Sequence, residues 1–482
     1  MSGENPGIRI SKKAFLTSFF VLLGLMIAAG LLTVAIPSGR YDRIEGEFGP
    51  EPVPGSYMVV EKPDYPVWRW FTAPVEVLGS EDGLQAIVII AFIMIVGGAF
   101  AVLQAAGVLK AAIGSMARRF ASRKYLLLAL VSLFFMSIGS FMGIFEEVIP
   151  MVPVAIALSV SLGWDVMTGL GMSILATGFG FSAAVANPFS IGTAQRLAGL
   201  PLFSGSLFRI LVFVVVYALF LFWLYRTARR AERNAPGGAI IEGRVQASDS
   251  DAGPGEVSAA PLAAHPGRGA VFFGVSMVVL IAVVMTVSLT GTFAEYSMPI
   301  IAVLFLIAGF GSGLAAGLQF KRCLSAFGSG VVSILPGVVL ILMAMGVKHI
   351  IVSGMVMDSI LAAAARTVAG SSGYTAAALV YLFTLLMNFF IGSATAKAFL
   401  LMPILVPLAD LTGLTRQIVV QAFAFGDGFS NMLYPTNAVL LISLGIAGIS
   451  WPTWFKRTWP LQVATLIVTM GLLMLAVATG YS

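Results

Sequence analysis

Ile138-Gly139-Ser140 interrupts a long apolar stretch of this chain, and Ile391-Gly392-Ser393 interrupts another about 250 residues later. A proline follows each interruption, at Pro150 and at Pro403. A Gly-Phe-Ser interruption also occurs twice in the same order, at 180–182 and at 428–430. Matched breaks in the two halves of an apolar chain are typical of secondary transporters that bind substrate near the bilayer midplane.

The composition places the whole chain in a membrane. Of its 482 residues 59% are hydrophobic and 10% are charged, whereas a soluble chain carries roughly 25% charged residues. The net charge of +6 lies in short loops, as the orientation rule for membrane proteins predicts, and does not indicate a nucleic-acid partner. The single cysteine, Cys323, and two histidines offer neither an intrachain disulfide nor a metal-ligand pattern.

Charge distribution sets the predicted topology. Arg9, Lys12 and Lys13 precede the first span and place the N-terminus in the cytoplasm. The loop 37–84 carries nine acidic and four basic residues and is predicted to face outward. If 125–162 is a re-entrant hairpin, the arginines that begin at Arg226 fall in the cytoplasm, whereas a full crossing would put them outside. The C-terminus is then outside.

The predicted fold is an all-α polytopic membrane protein with an inverted repeat, about nine transmembrane helices and two re-entrant hairpins. The first repeat, 1–225, contains a cytoplasmic-side hairpin at 125–162 and a broken helix at 165–198. A flexible cytoplasmic linker follows at 226–268. The second repeat, 269–482, contains an outer-side hairpin at 374–411 and a broken helix at 415–449. A surface helix is predicted at 110–124.

The breaks supply the candidate binding groups, because a broken helix exposes backbone N–H groups for anions and carbonyls for cations. We assign substrate binding to small and polar residues of the predicted hairpin tips and broken helices: Gly139, Ser140, Asn187, Gly392, Ser393, Thr395, Thr436 and Asn437. Candidates for a coupling ion are Thr177, Ser182, Asp427, Ser430 and Asn431. The alternative is plain helix kinking, with each hydroxyl bonded within its own helix.

Three charges complete the predicted site. Glu146, Glu147 and Lys397 lie just past the predicted hairpin tips in apolar surroundings, where a charge costs about 2.5–3.5 kcal/mol or more. If the tips meet, Lys397 faces one of the glutamates, and together they bind a carboxylate and an ammonium. The alternative is a structural ion pair that locks the hairpins. Asp427 could bind a cation, carry a proton or cap a half-helix.

These motifs resemble the YfcC branch of the ion transporter superfamily, whose relatives include the ArcD arginine/ornithine antiporters and the DcuC dicarboxylate carriers. The resemblance rests on the Gly-Ser tips, the Phe145-Glu146-Glu147 segment, the Gly-Phe-Ser breaks and the stretch 434–437. It implies a homodimer with a scaffold domain and a hairpin-bearing transport domain that moves as an elevator. The superfamily's sodium symporters carry Ser-Asn-Thr at each tip, and the Asn is missing here, so Na⁺ and H⁺ both stay open as the coupling ion.

The sequence therefore predicts a transporter and not an enzyme, since it lacks a phosphate-binding loop and a nucleophile–base pairing, and no cofactor is expected. The predicted function is secondary active transport of a small carboxylate-bearing metabolite across the bacterial inner membrane. An amino acid is favoured, with antiport of a basic one as a specific case. A C4-dicarboxylate or other organic anion is the alternative. A channel or a non-transporting membrane receptor is the alternative of a different class.

Overall fold

The computed structural model describes residues 12–46, 49–109, 111, 123–234, 263–290 and 296–482. Within these ranges the chain is mostly helical, and nine helices are long and apolar enough to cross a membrane. The prediction of a helical multi-pass membrane protein is confirmed. Most of the predicted surface helix at 110–124, and residues 235–262 of the predicted linker, lie outside the described residues.

The described residues of the first half form eight helices, with a short 3₁₀ turn, Val77–Gly79, directly after the second helix and two more tight turns described below. The helices are α1 (Lys12–Ala35), α2 (Trp68–Glu76), α3 (Gly83–Ala105), α4 (Lys124–Met142), α5 (Val152–Ser161), α6 (Val166–Ser182), α7 (Thr193–Leu197) and α8 (Ser206–Asn234). A 3₁₀ turn, Glu146–Met151, precedes α5, and a π turn, Pro188–Gly192, precedes α7. Pro188 fits the first position of its turn, where the missing N–H would have no helical partner.

The described residues of the second half form nine helices. Its helices are α9 (Pro266–Thr290), α10 (Ser297–Ala315), α11 (Phe320–Ser353), α12 (Met357–Ala369), α13 (Gly373–Met387), α14 (Ala394–Thr412), α15 (Arg416–Gly428), α16 (Ala438–Ala447) and α17 (Trp451–Thr479). The series helix, turn, helix, broken helix that runs from α4 to α7 recurs from α13 to α16. The repeated breaks in the sequence thus correspond to repeated structural elements.

Both helix–turn–helix units fold back so that their two ends lie together. At the first unit, the rings of Tyr125, at the start of α4, and Trp164, just after α5, are 5.7 Å apart. At the second unit, the side chain of Leu414 and the carbonyl of Thr412 lie beside Gly373, where α13 begins. Each unit therefore enters and leaves the helical bundle at one end.

The two halves interlock through these units. The first arm of each unit packs on the first part of its own half's broken helix, α4 on α6 and α13 on α15. The second arm packs on the second part of the other half's broken helix, α5 on α16 and α14 on α7. This exchange brings both breaks to the centre of the bundle.

The loop 37–84 departs from the all-α prediction. It contains β1 (Gly39–Arg40) paired with β4 (Met58–Val59), and β2 (Arg43–Gly46) paired with β3 (Gly49–Pro52), both antiparallel. Strands this short carry too few alternating residues for a periodicity to be visible in the sequence. Arg43 pairs with Asp358 at 3.0 Å, so the loop lies against α12.

Helix bounds differ from prediction where charged residues begin. The predicted linker starts at residue 226, but α8 continues to Asn234, and α17 begins at Trp451 although its predicted span begins at Pro460. Helical hydrogen bonding does not stop where the apolar stretch stops, because Lys and Arg side chains extend to water. The nine long helices also include α4 and α14, which were predicted as hairpin arms, and exclude the two broken segments.

Candidate functional site

Both predicted broken helices are broken in the structure, and each break ends at an asparagine cap. Between α6 and the π turn, Asn187 Oδ1 accepts the N–H of Phe189 at 2.9 Å and of Ser190 at 3.3 Å. Between α15 and α16, Asn437 Oδ1 accepts the N–H of Leu440 at 3.1 Å. These caps satisfy backbone donors that the start of each second half-helix would leave unpaired.

The repeated Gly-Phe-Ser motifs lie against each other. The rings of Phe179 and Phe429 meet edge to face at 5.3 Å, and Gly428 lies directly against Ser182. A side chain at Gly428 would overlap Ser182, so glycine is required by this approach. The two breaks, distant in sequence, therefore form one central region.

Ser140 ties α4 to the first break. Its Oγ donates to the carbonyl of Ala183 at 2.7 Å and accepts the N–H of Val185 at 3.1 Å, and its own carbonyl accepts the N–H of Ala186 at 3.2 Å. The prediction that 138–140 forms the hairpin tip is wrong. Gly139 lies inside α4 against the backbone of α6, and the chain turns at Gly143, whose φ is +68°. The motif marks a close helix–helix approach there.

The second predicted tip does lie in a turn, between α13 and α14. Ser393 Oγ accepts the N–H of Ala396 at 3.3 Å and so caps α14. Thr395 Oγ1 donates to the carbonyl of Phe189 at 3.2 Å, which links this turn to the first broken helix. Gly392 has no positive φ, and a Cβ there would meet no described atom within 4 Å. Glycine is therefore not needed for this turn.

A buried ion pair lies where the second turn meets the second break. Lys397 and Asp427 are both 0% exposed, and Lys397 Nζ donates to Asp427 Oδ1 at 2.6 Å. Lys397 Nζ also donates to Asn388 Oδ1. The other carboxylate oxygen, Asp427 Oδ2, is buried and has no hydrogen-bond partner among the described residues.

Asn388 extends the pair into a network of amides. Its Nδ2 donates to Ser430 Oγ at 2.8 Å and to Asn431 Oδ1 at 3.0 Å. Asn437 Nδ2 also donates to Asn431 Oδ1, at 3.0 Å. Asn388 was missed in the sequence, where its signal was a lone amide in the apolar run before Gly392. Buried networks of this kind fix one arrangement of the elements they join.

Lys397 does not face Glu146 or Glu147, and this part of the prediction is wrong. Both glutamates lie partly buried in the 3₁₀ turn before α5, which packs against α10 and α16. Glu147 Oε2 accepts the N–H of Phe145 at 3.0 Å. The structure thus separates the charges into two places, with the Lys397 pair on the second break.

The remaining candidates differ in what their side chains contact. Thr177 Oγ1 donates to the carbonyl of Ser173 at 3.0 Å, and Ser182 Oγ donates to that of Gly178 at 2.7 Å. Both hydroxyls thus bond within their own helix, whereas Ser430 and Asn431 belong to the network. Thr436 lies half-buried in the second break.

Comparison with known proteins gives the class of this protein. The family model for DcuC, the C4-dicarboxylate anaerobic carrier, matches residues 15–478. The chain belongs to this family of membrane carriers, so it is a transporter and not an enzyme.

Two relatives and one solved structure are similar over most of the chain. An Escherichia coli (strain K12) protein with the provisional name basic amino acid antiporter YfcC is 28% identical over 473 residues, covering 90% of this chain and 91% of its own. An uncharacterized Haemophilus influenzae protein is 26% identical over 433 residues, covering 89% and 82%. The structure of the Alcanivorax borkumensis YdaH transporter is 18% identical, with a TM-score of 0.43 over 97% of this chain and 98% of its own.

Proposed function

We propose that this chain is a secondary active transporter of a small carboxylate-bearing metabolite, with an amino acid favoured and a basic one exchanged by antiport as the leading case. The fully buried pair of Lys397 and Asp427 at the second break carries this proposal. Burying two charges costs several kcal/mol for each ion, so a fully buried pair in a membrane protein marks a place where charge is needed.

The site offers groups for both ends of an amino acid. Lys397 suits a carboxylate, and Asp427 suits an ammonium because its Oδ2 has no partner among the described residues. Glu146 and Glu147 add negative charge in the turn of the first unit, which favours a cationic side chain. Asp427, Ser430 and Asn431 are the groups that suit a coupling H⁺ or Na⁺. The family description favours a C4-dicarboxylate as the second candidate.

The proposed mechanism is an elevator. The two helix–turn–helix units are taken as re-entrant hairpins that enter from opposite faces of inverted repeats. They and the broken helices form the moving body, and α1, α3, α10 and α11, which pack together, form the scaffold of a homodimer.

The proposed orientation in the bacterial inner membrane has the N-terminus in the cytoplasm and the C-terminus outside. Trp164, the end of α8 at Arg230 and the start of α17 at Arg457 line one cleft, which supports a common cytoplasmic end for these three segments. At the other end, Lys348 after the core of α11 pairs with Asp82 of the acidic loop at 2.7 Å.

The test is counterflow with the full chain in proteoliposomes. Vesicles loaded with unlabelled L-arginine should accumulate radiolabelled L-arginine, and Lys397→Met and Asp427→Asn should each abolish accumulation. Lys348→Met is the matched control. Lys348 forms a partly exposed ion pair with Asp82, and both residues are distant in sequence from the two breaks, so this variant should transport normally.

Vesicles loaded with succinate separate the substrate classes. Counterflow of succinate alone would replace the amino acid with a dicarboxylate. Uptake that does not depend on the substrate inside the vesicles would indicate a channel. The absence of uptake of both compounds would contradict the proposed function.

A further inference from the structure

Arg209, in the first turn of α8, is a second buried charge beside a break. Its side chain is 1% exposed. Nε donates to the carbonyl of Val185 in the first break at 2.9 Å, and Nη1 donates to the hydroxyl of Tyr481 at 3.1 Å. Nη2 is buried and has no partner among the described residues.

The guanidinium charge is not balanced within the described part of the chain. The other fully buried cation among the described residues, Lys397, is paired with Asp427. Arg209 forms no ion pair within 4.0 Å there. Arginine keeps its charge in proteins, and an uncompensated buried charge is costly. A negatively charged ligand at Nη2 would remove that cost.

Two further donors without partners follow Val185 in the first broken helix. Asn187 Nδ2 and Ser190 Oγ are both fully buried and unpartnered among the described residues. The orientation of the Asn187 amide is set by the cap, because Oδ1 must be the atom that accepts the N–H groups of Phe189 and Ser190. Nδ2 is therefore the amide atom that has no partner among the described residues.

We propose that Arg209, Asn187 and Ser190 form a carboxylate-binding site at the first break, which holds the carboxylate end of the transported substrate. A guanidinium, an amide N–H₂ and a hydroxyl are the donors that bind a carboxylate well. This inference rests on the proposed function. It places the substrate carboxylate at the first break and not on Lys397, whose charge Asp427 already balances, and it adds Arg209 and Ser190 to Asn187, the one member of the site predicted from the sequence.

The site complements the second break. There the buried orphan atom is an acceptor, Asp427 Oδ2, whereas at the first break the orphan atoms are donors. Phe179 and Phe429, each just before one of the breaks, are in ring contact at 5.3 Å, so the two breaks lie near each other.

The experiment measures binding to the purified full chain by calorimetry and melting temperature. The probes are L-arginine, succinate, and agmatine, which is arginine without its carboxylate. Asn187→Asp keeps the capping oxygen but replaces the orphan donor with a carboxylate that competes for Arg209. We expect it to weaken L-arginine or succinate at least ~10-fold, to leave agmatine unchanged and to retain the melting temperature.

Two companion variants separate binding from structure. Arg209→Met should give the same loss for carboxylates, and Tyr481→Phe should bind them normally, since it removes only the hydroxyl that accepts from Nη1. If Tyr481→Phe loses as much affinity for carboxylates and also has a lowered melting temperature, Arg209 has a structural role and the proposed carboxylate site is wrong.

The outcomes distinguish the two proposals. If the wild-type chain binds and exchanges L-arginine or succinate while Asn187→Asp and Arg209→Met bind them unchanged, the site is overturned and the proposed function stands. If the wild-type chain neither binds nor exchanges either compound, the proposed function fails, and this site fails with it.

Discussion

The first break, at 183–187, and the second, at 433–437, share a backbone plan and differ in their charges. Each ends at an asparagine cap, Asn187 or Asn437, and each is bonded to a helix–turn–helix unit. At the second break Lys397 is paired with Asp427, whereas at the first Arg209 has no carboxylate among the described residues. The repeat thus supplies matching backbone geometry on which two different electrostatic sites are built.

The largest expected effect comes from removing one partner of the Lys397–Asp427 ion pair at the second break. Lys397→Met or Asp427→Asn alone leaves one buried group without its partner and should lower the free energy of unfolding by about 3–5 kcal/mol. The double variant removes both charges and should recover most of the melting temperature while remaining unable to transport. A double variant as unstable as either single change would show that the pair is not the reason for their instability.

The two repeated glycines give the next contrast. A Cβ at Gly139 would lie 2.9 Å from the backbone nitrogen of Phe181, so Gly139→Ala should cost about 1–3 kcal/mol through overpacking. Gly392→Ala meets open space and should be neutral in both melting temperature and transport. If Gly392→Ala were the more damaging change, the second turn would need a conformation that this structure lacks.

The two caps differ in a smaller way. Asn437→Asp keeps the cap but loses the donor to Asn431. It should cost about 1–3 kcal/mol, because a carboxylate oxygen of the variant then faces the amide oxygen Asn431 Oδ1, which is also an acceptor. Asn187→Asp keeps its cap, loses no observed bond and supplies a carboxylate to balance the charge of Arg209, so its melting temperature should not fall below that of the wild type. Equal losses of melting temperature in the two variants would remove the proposed asymmetry between the breaks.

The smallest effect lies in the loop 37–84, away from both breaks, and serves as a reference. The hydrogen bond from Arg69 lowers the pKa of Glu76 from 4.5 to about 2, with further bonds from Thr72 and His349. A lowered carboxyl pKa stabilises the fold above pH 4.5, and that contribution is lost as the pH falls from about 4.5 to about 2.

Glu76→Gln should therefore lower stability at pH 7 by less than about 1 kcal/mol, as for a partly exposed pair. The difference in melting temperature from the wild type should shrink as the pH falls toward 2. A difference in melting temperature that grows as the pH falls would contradict the lowered pKa of Glu76. Transport should not change, since neither break is involved.

Part of the site could be predicted because polar and small residues stand out in apolar segments. Asp427, Lys397, Ser430, Asn431 and Asn437 were found in this way, and the structure joins them in one network. Arg209 was not found, because an arginine near the end of a span is indistinguishable in sequence from one that extends to water.

The sequence by itself determined the membrane class and the presence of both breaks. Those properties follow from composition, hydrophobic run length and local chemistry such as proline and capping residues. Only the tertiary structure decided that Lys397 pairs with Asp427 and not with Glu146 or Glu147, that Gly139 serves helix packing, and that Arg209 lies beside Val185. Contacts between elements depend on how helices rotate and cross when they pack, and a single sequence carries no periodic signal for that.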